Sequence, residues 1–121
     1  QAGSRAITLE FADRLAARKR WLAFTQRASG TIRVDAGARE ALVKRHKSLL
    51  PSGICGVEGH FDSGDLVNLA GPDGRPFARG LSNYAREEVE RIRGKKTSQI
   101  AKELGQNFFE EVVHCDNLVV L

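Results

Sequence analysis

Two short clusters hold residue types able to bind a metal or move a proton. His60, Asp62 and Asp65 are near neighbours in the chain, and His114, Cys115 and Asp116 are consecutive. Imidazole, thiolate and carboxylate are ordinary metal ligands. Each cluster also has a plainer reading. Asp62-Ser63-Gly64-Asp65 is what a tight turn needs, because Asp and Ser bond nearby backbone and Gly accepts positive φ. Adjacent residues of a strand point to opposite faces, so His114 and Cys115 cannot cooperate if that segment is extended. On these grounds both clusters are expected to be turn or strand-end residues, and no metal site is assigned. No serine is paired with a base in a recognised spacing. Ser48, Ser52 and Ser82 lack the G-x-S-x-G elbow. No phosphate-cradling glycine loop of either common type is present, so no residue is assigned to catalysis or to a cofactor.

The elements around these residues are short. Val57 and Phe61 alternate with Glu58 and His60, Val67 and Leu69 with Leu66 and Asn68, and Phe77 and Leu81 bracket Arg79. Period-2 spacing broken at short intervals predicts a small, tightly turned β-barrel or sandwich. Gly71-Pro72-Asp73-Gly74 reads as a hairpin turn. Trp21 to Phe24 and the pair Ile32 and Val34 read as two earlier strands, and Ile7, Leu9 and Phe11 could form another. Asp35 can cap a helix whose inner face is Ala38, Ala41, Leu42 and His46, with Pro51 beyond its end. After Leu81 come two short helices. Ser82 or Asn83 caps the first, which buries Val89 and Ile92 and stops at Gly94. Thr97 or Ser98 caps the second, which buries Ile100 and Leu104 and ends at Gly105. Val112-Val113 and Leu118 to Leu121 close the sheet, the last as a strand covered on both faces. Val57, Phe61, Val67, Leu69, Phe77, Leu81 and Val120 should share one core, and Trp21 and Phe24 also fall at core-like positions.

The chain has 121 residues, enough for one domain with one core. It contains no Met and starts Gln1-Ala2-Gly3-Ser4, which suggests a piece of a longer protein. No apolar run is long enough to span a membrane, and charges interrupt the first twenty residues where a signal peptide would be apolar. Cys55 and Cys115 are the two cysteines. Far apart and in no C-x-x-C pair, they suggest reduced thiols of a cytoplasmic protein, with a disulfide left open. Charge is uneven. Residues 1–47 hold eleven Lys and Arg against four Asp and Glu, and residues 48–121 hold eight against eleven. A basic half implies an anionic partner or a neighbouring domain. The densest cluster is Arg39, Lys44, Arg45, His46 and Lys47, where the helix dipole alone favours cations by about 0.3–1 kcal/mol each. A second run, Arg91, Arg93, Lys95 and Lys96, reads as a solvated face or a contact to another domain.

Several stretches together carry a resemblance. LLPSGI (49–54), VEGHFDSGDLV (57–67), ARGLSNY (78–84) and EVVHCDNLVVL (111–121) resemble the C-terminal PUA domain of bacterial glutamate 5-kinases, as do ARKRWLAF (17–24) and GTIRVDAGAREAL (30–42). The likeness runs in one continuous order over residues 17–121. Cys115 departs from it, standing where that family usually has a basic residue. The resemblance implies a PUA-like pseudobarrel, mainly β with flanking short α-helices, over 17–121. Residues 1–16 would then be a linker or the tail of an amino-acid kinase domain. It implies a parent enzyme that phosphorylates the γ-carboxylate of L-glutamate with ATP and Mg²⁺, towards proline. The residues for that chemistry would lie in the kinase domain, and this module would be non-catalytic. Its partners would be that domain and other copies of the parent, with a bracing or regulatory role. The alternative is RNA, which PUA domains of RNA-modifying enzymes grip with the first helix and the glycine turn after it. The matching positions are Arg39, Lys44, Lys47, Ser48, Ser52 and Gly53. No stacking aromatic accompanies them in the sequence.

Lacking a phosphate loop and a metal-binding carboxylate set, the 121-residue chain is expected to show no glutamate kinase activity and no binding of Mg-ATP. Calorimetric detection of micromolar Mg-ATP affinity would overturn that expectation.

Overall fold

A computed structural model describes residues 14–17, 19–22, 27–104 and 110–121. Its strands are β1 (Gly30–Val34), β2 (Ile54–Gly59), β3 (Leu66–Ala70), β4 (Pro76–Leu81) and β5 (Leu118–Val120). Its named helices are α1 (Ala36–Arg45), α2 (Arg86–Ile92) and α3 (Thr97–Leu104), with 3₁₀ turns at Pro51–Gly53 and Cys115–Asn117. Residues 14–17 and 19–22 are also helical. The strands form one sheet in the order β2-β1-β3-β4-β5. The β1–β3 pair is parallel and the other three pairs are antiparallel.

The period-2 pattern becomes rows across this sheet. Val57, Ile32, Leu69, Ala78 and Val120 are paired in succession from edge to edge. The next row is Glu58, Thr31, Asn68, Arg79 and Val119, and it is mostly polar. The row beyond is Gly59, Gly30, Val67, Gly80 and Leu118, on the same face as the first, because strand side chains alternate. Its glycines make room for large neighbours. A Cβ on Gly30 would lie 2.6 Å from the Phe61 ring, and one on Gly80 would lie 2.5 Å from Cγ1 of Val113. Phe61 and Val113 therefore pack directly on bare backbone. Val57, Phe61, Val67, Leu69 and Phe77 belong to one buried cluster with Ile32, Leu42, Leu49, Val89, Ile92, Ile100 and Val113.

Turn chemistry closes the sheet. The Gly74 amide donates to the Gly71 carbonyl at 2.9 Å and Asp73 accepts from the Arg75 amide at 3.0 Å, so the β3–β4 hairpin turns at Gly71–Gly74. Asp65 Oδ2 accepts from the Asp62 amide at 2.8 Å, and Gly64 adopts φ +93°. Among the described residues, no helix is long and apolar enough to cross a membrane.

Several expectations change. Trp21 and Leu22 are helical rather than a strand, and Trp21 is 45% exposed. Val120 and Leu121 are exposed because β5 is a sheet edge, and Leu81 is only partly buried. The buried Ser82 does not cap α2. Its hydroxyl donates to the Tyr84 carbonyl at 2.6 Å, and the cap is Ala85, whose amide reaches Oε1 of Glu88 at 3.0 Å. Thr97 is already helical, so neither it nor Ser98 caps α3. The Lys96 amide bonds Gln99 Oε1 at 3.0 Å there. The readings of Ile7, Leu9, Phe11, Ala23, Phe24 and Gly105 lie outside the described residues.

Phe61→Ala should cost about 3–5 kcal/mol, as expected for a buried aromatic, and Gly80→Ala about 1–3 kcal/mol by overpacking. Denaturant unfolding measures both. A loss under about 1 kcal/mol for Phe61→Ala would contradict this packing.

Candidate functional site

Helix α1 ends where basic residues are densest. At its start Asp35 Oδ1 accepts from the Ala38 amide at 2.7 Å, the cap read from the sequence. At its end His46 turns left-handed, with φ 52°, and the Lys47 amide reaches back to the Ala41 carbonyl at 3.3 Å. A residue that turns the chain out of a helix cannot also lie on its inner stripe. His46 is accordingly exposed, a correction to its expected place in the core, while Leu42 is buried. The chain then returns along the helix to Pro51–Gly53, where the Gly53 carbonyl accepts from the Asp35 amide at 3.0 Å. A Cβ on Gly53 would lie 2.6 Å from Cβ of Ala38. Only glycine lets turn and helix approach so closely.

Helix and turn enclose a cleft of about 260 Å³, and the six candidate residues for RNA divide around it. Lys47, Ser48, Ser52 and Gly53 line this cleft together with Asp35. Arg39 and Lys44 line a different hollow of about 300 Å³, with Glu40, Val43 and Pro72. Three of the six have structural duties. Ser48 Oγ accepts from the Cys115 amide at 2.8 Å. The Gly53 amide donates to the Leu50 carbonyl at 3.2 Å. The Arg39 guanidinium lies 5.3 Å over the Phe77 ring, an attractive contact for a cation. Lys44 Nζ stands 3.7 Å from Glu40 Oε1, an exposed pair worth little. Lys47, Ser52 and Asp35 are the exposed polar side chains of the cleft. Of the four aromatic residues described, Phe61, Phe77 and Tyr84 are buried and Trp21 is exposed. Trp21 does not line the cleft.

In the second basic run, Arg93 is a strut. It bonds Glu90 Oε1 at 2.9 Å and the Cys55 carbonyl at 2.7 Å, tying the end of α2 to β2. Cys55 and Cys115 are both free thiols. His60, Asp62 and Asp65 do not gather, and His114, Cys115 and Asp116 are the one group of potential metal ligands found together among the described residues. Cys115–Asn117 form a 3₁₀ turn, with His114 as its N-cap. The segment is therefore not extended at Cys115, and its sulfur lies 3.9 Å from His114 Nδ1.

The model of the PUA domain family matches residues 30–104. The chain belongs to the PUA domain family. It is 54% identical over 110 residues to a glutamate 5-kinase of Anaeromyxobacter dehalogenans, which covers 91% of this chain and 29% of that protein. A glutamate 5-kinase of a Geobacter species is 50% identical over 115 residues, covering 95% of this chain and 31% of that protein. The chain thus spans less than a third of the length of these curated relatives. Among solved structures, a PUA domain of Aeropyrum pernix K1 in a tartrate complex matches 71% of this chain and 42% of that one. Its TM-score is 0.51 and its identity 26%. The PUA pseudobarrel and the likeness to glutamate 5-kinases expected from the sequence both stand.

Ser48→Ala should remove the partner of the Cys115 amide and cost about 1 kcal/mol. Faster amide exchange at Cys115, with the β3–β4 amides unchanged, is the expected hydrogen-exchange result. Unchanged protection at Cys115 would contradict that role for the hydroxyl.

Proposed function

We propose that this chain is the non-catalytic PUA module of a glutamate 5-kinase and that it braces the kinase domain and tunes its assembly or feedback response. The parent would be a cytoplasmic enzyme that uses ATP and Mg²⁺ to phosphorylate the γ-carboxylate of L-glutamate. The observation that carries this reading is the 54% identity over nearly the whole chain to a protein three times as long. Sequence kept over the length of one module points to the same host and the same neighbour. The charge asymmetry also favours it, because the basic half, residues 1–47, is the part that would adjoin a preceding kinase domain. Residues 1–16 are then the linker or the tail of that domain.

RNA binding is the second reading, and one observation favours it. The cleft beside α1 has the donors Lys47 and Ser52 on its walls, with a volume of about 260 Å³. Against it stand Asp35 in the same cleft, the structural duties of Ser48, Gly53 and Arg39, and the lack of an aromatic platform there.

The two readings part experimentally. Removing residues 17–121 from the full-length enzyme should change its oligomerisation or its sensitivity to proline while sparing basal turnover. Lys44→Ala with Lys47→Ala should leave those properties intact. Under the RNA reading, the same double variant would flatten the salt dependence of RNA affinity by about one unit of log–log slope for each phosphate left unneutralised. Sub-micromolar, salt-sensitive binding of structured RNA, abolished by that variant, would overturn the bracing role in favour of the second reading.

A further inference from the structure

We propose that His114, Cys115 and Asp116 form a binding site for a thiophilic divalent cation, zinc being the natural occupant. The three donors come from one 3₁₀ turn and its N-cap residue, and one ligand atom from each lies within 4.8 Å of the others. His114 Nδ1 to Cys115 Sγ, Cys115 Sγ to Asp116 Oδ1, and His114 Nδ1 to Asp116 Oδ2 are each 3.9 Å. A tetrahedral zinc ion with bonds of about 2.0–2.3 Å holds its donors about 3.3–3.6 Å apart. From separations of up to 4.8 Å the side chains must rotate inward by about 1 Å to reach that geometry, within the freedom of three partly exposed side chains.

The imidazole is already in the form a metal requires. Its Nδ1 accepts a hydrogen bond from the Asp116 amide at 3.0 Å, so the Nδ1 lone pair faces into the turn. A bound cation would take over this lone pair from the amide. The thiol proton would leave to solvent, and the thiolate and carboxylate together would neutralise the two charges of the cation. Neutrality matters, because Lys19 and Lys47 line the adjoining cavity.

That cavity supplies the remaining coordination position. Cys115 and Asp116 form part of its wall, it measures about 370 Å³, and His46 also lines it. His46 is not among the clustered donors. The site therefore has three protein ligands and an open fourth position, the arrangement that holds a water or an exchangeable ligand rather than a closed structural centre. One mixed N, S, O donor set selects borderline-soft ions over magnesium or calcium, which prefer all-oxygen shells. The turn itself is held from behind by Ser48 Oγ on the Cys115 amide, which fixes the thiol-bearing residue against the end of α1.

Cobalt(II) serves as the spectroscopic probe, titrated into the 121-residue chain under reducing conditions and then displaced with zinc. The expected result is a thiolate-to-cobalt charge-transfer band that saturates at one equivalent and disappears as zinc is added. Cys115→Ser should abolish the band, while Cys55→Ser should leave it unchanged. His114→Asn and Asp116→Asn should each weaken zinc binding by more than the roughly 10–100-fold that loss of an outer-shell partner costs. Magnesium in excess should not compete. All four substitutions lie at exposed or half-exposed positions, and circular dichroism checks that the variants fold. Absence of the band in the unaltered chain would overturn the site. So would its survival in Cys115→Ser, or its loss in Cys55→Ser.

Discussion

The pairing of Leu49 with Val113 is the contact on which the rest of the molecule depends. The two residues lie far apart in the chain and form an isolated antiparallel bridge. Leu49 donates to the Val113 carbonyl and accepts from the Val112 amide, both at 2.8 Å. Both side chains are buried, so these backbone groups have no water to turn to and must find each other. Val113 also fills the space over Gly80. One residue thus joins the turn after α1, the inner face of the sheet and the segment leading into β5. The bridge sets Cys115 beside Ser48, and with it the relation between the cleft at α1 and the cavity at the 114–116 turn.

The motifs that carry the family likeness serve mainly to stitch this fold. Pro51 and Gly53 link three parts, since the Gly53 carbonyl takes the Asp35 amide and the Pro51 carbonyl takes the Gly94 amide at 2.7 Å. Asn83 bonds the Val112 and Glu111 carbonyls, and the Ser82 amide donates to the Asp65 carbonyl at 3.0 Å just beyond the β3–β4 pairing. Most of these are main-chain bonds that hold segments in place; the Asn83 side chain is the exception, and its loss would take a partner from the Glu111 carbonyl. The proposed bracing role would need stiffness of this kind, and a motif of main-chain bonds records the fold rather than a reaction.

The basic residues follow the same pattern. Arg93 and Arg39 are used internally, against backbone and an aromatic ring, and Lys44 faces Glu40. Lys47 is different. It lines both the α1 cleft and the cavity beside Cys115 and Asp116. An anionic ligand in the first and a cation in the second would therefore feel the same ammonium group, which gives the two sites a direct electrostatic connection.

The sequence by itself determined the strands and turns of the centre of the chain. Alternation in β2, β3 and β4, the Asp35 cap and the Gly-Pro-Asp-Gly turn are local devices, written in neighbouring residues. It also carried the family, because ordered motifs survive without knowledge of their partners. Tertiary structure decided what depended on distant neighbours. The four apolar residues at the end read as a strand covered on both faces, but among the described residues β5 is an edge strand paired with β4 alone, and Val120 and Leu121 are exposed. Trp21 is as apolar as any core residue, yet its helix leaves it at the surface. His46 matched the inner stripe of α1 in spacing, and only the left-handed reversal at that position took it outside. The trio 114–116 was excluded on the premise of an extended backbone. That backbone coils through local bonds, the Asn117 amide to the His114 carbonyl at 2.9 Å and the Asp116 amide to His114 Nδ1 at 3.0 Å. It is joined to the rest by the Cys115 amide on Ser48, sixty-seven positions away, a meeting of which local sequence holds no record.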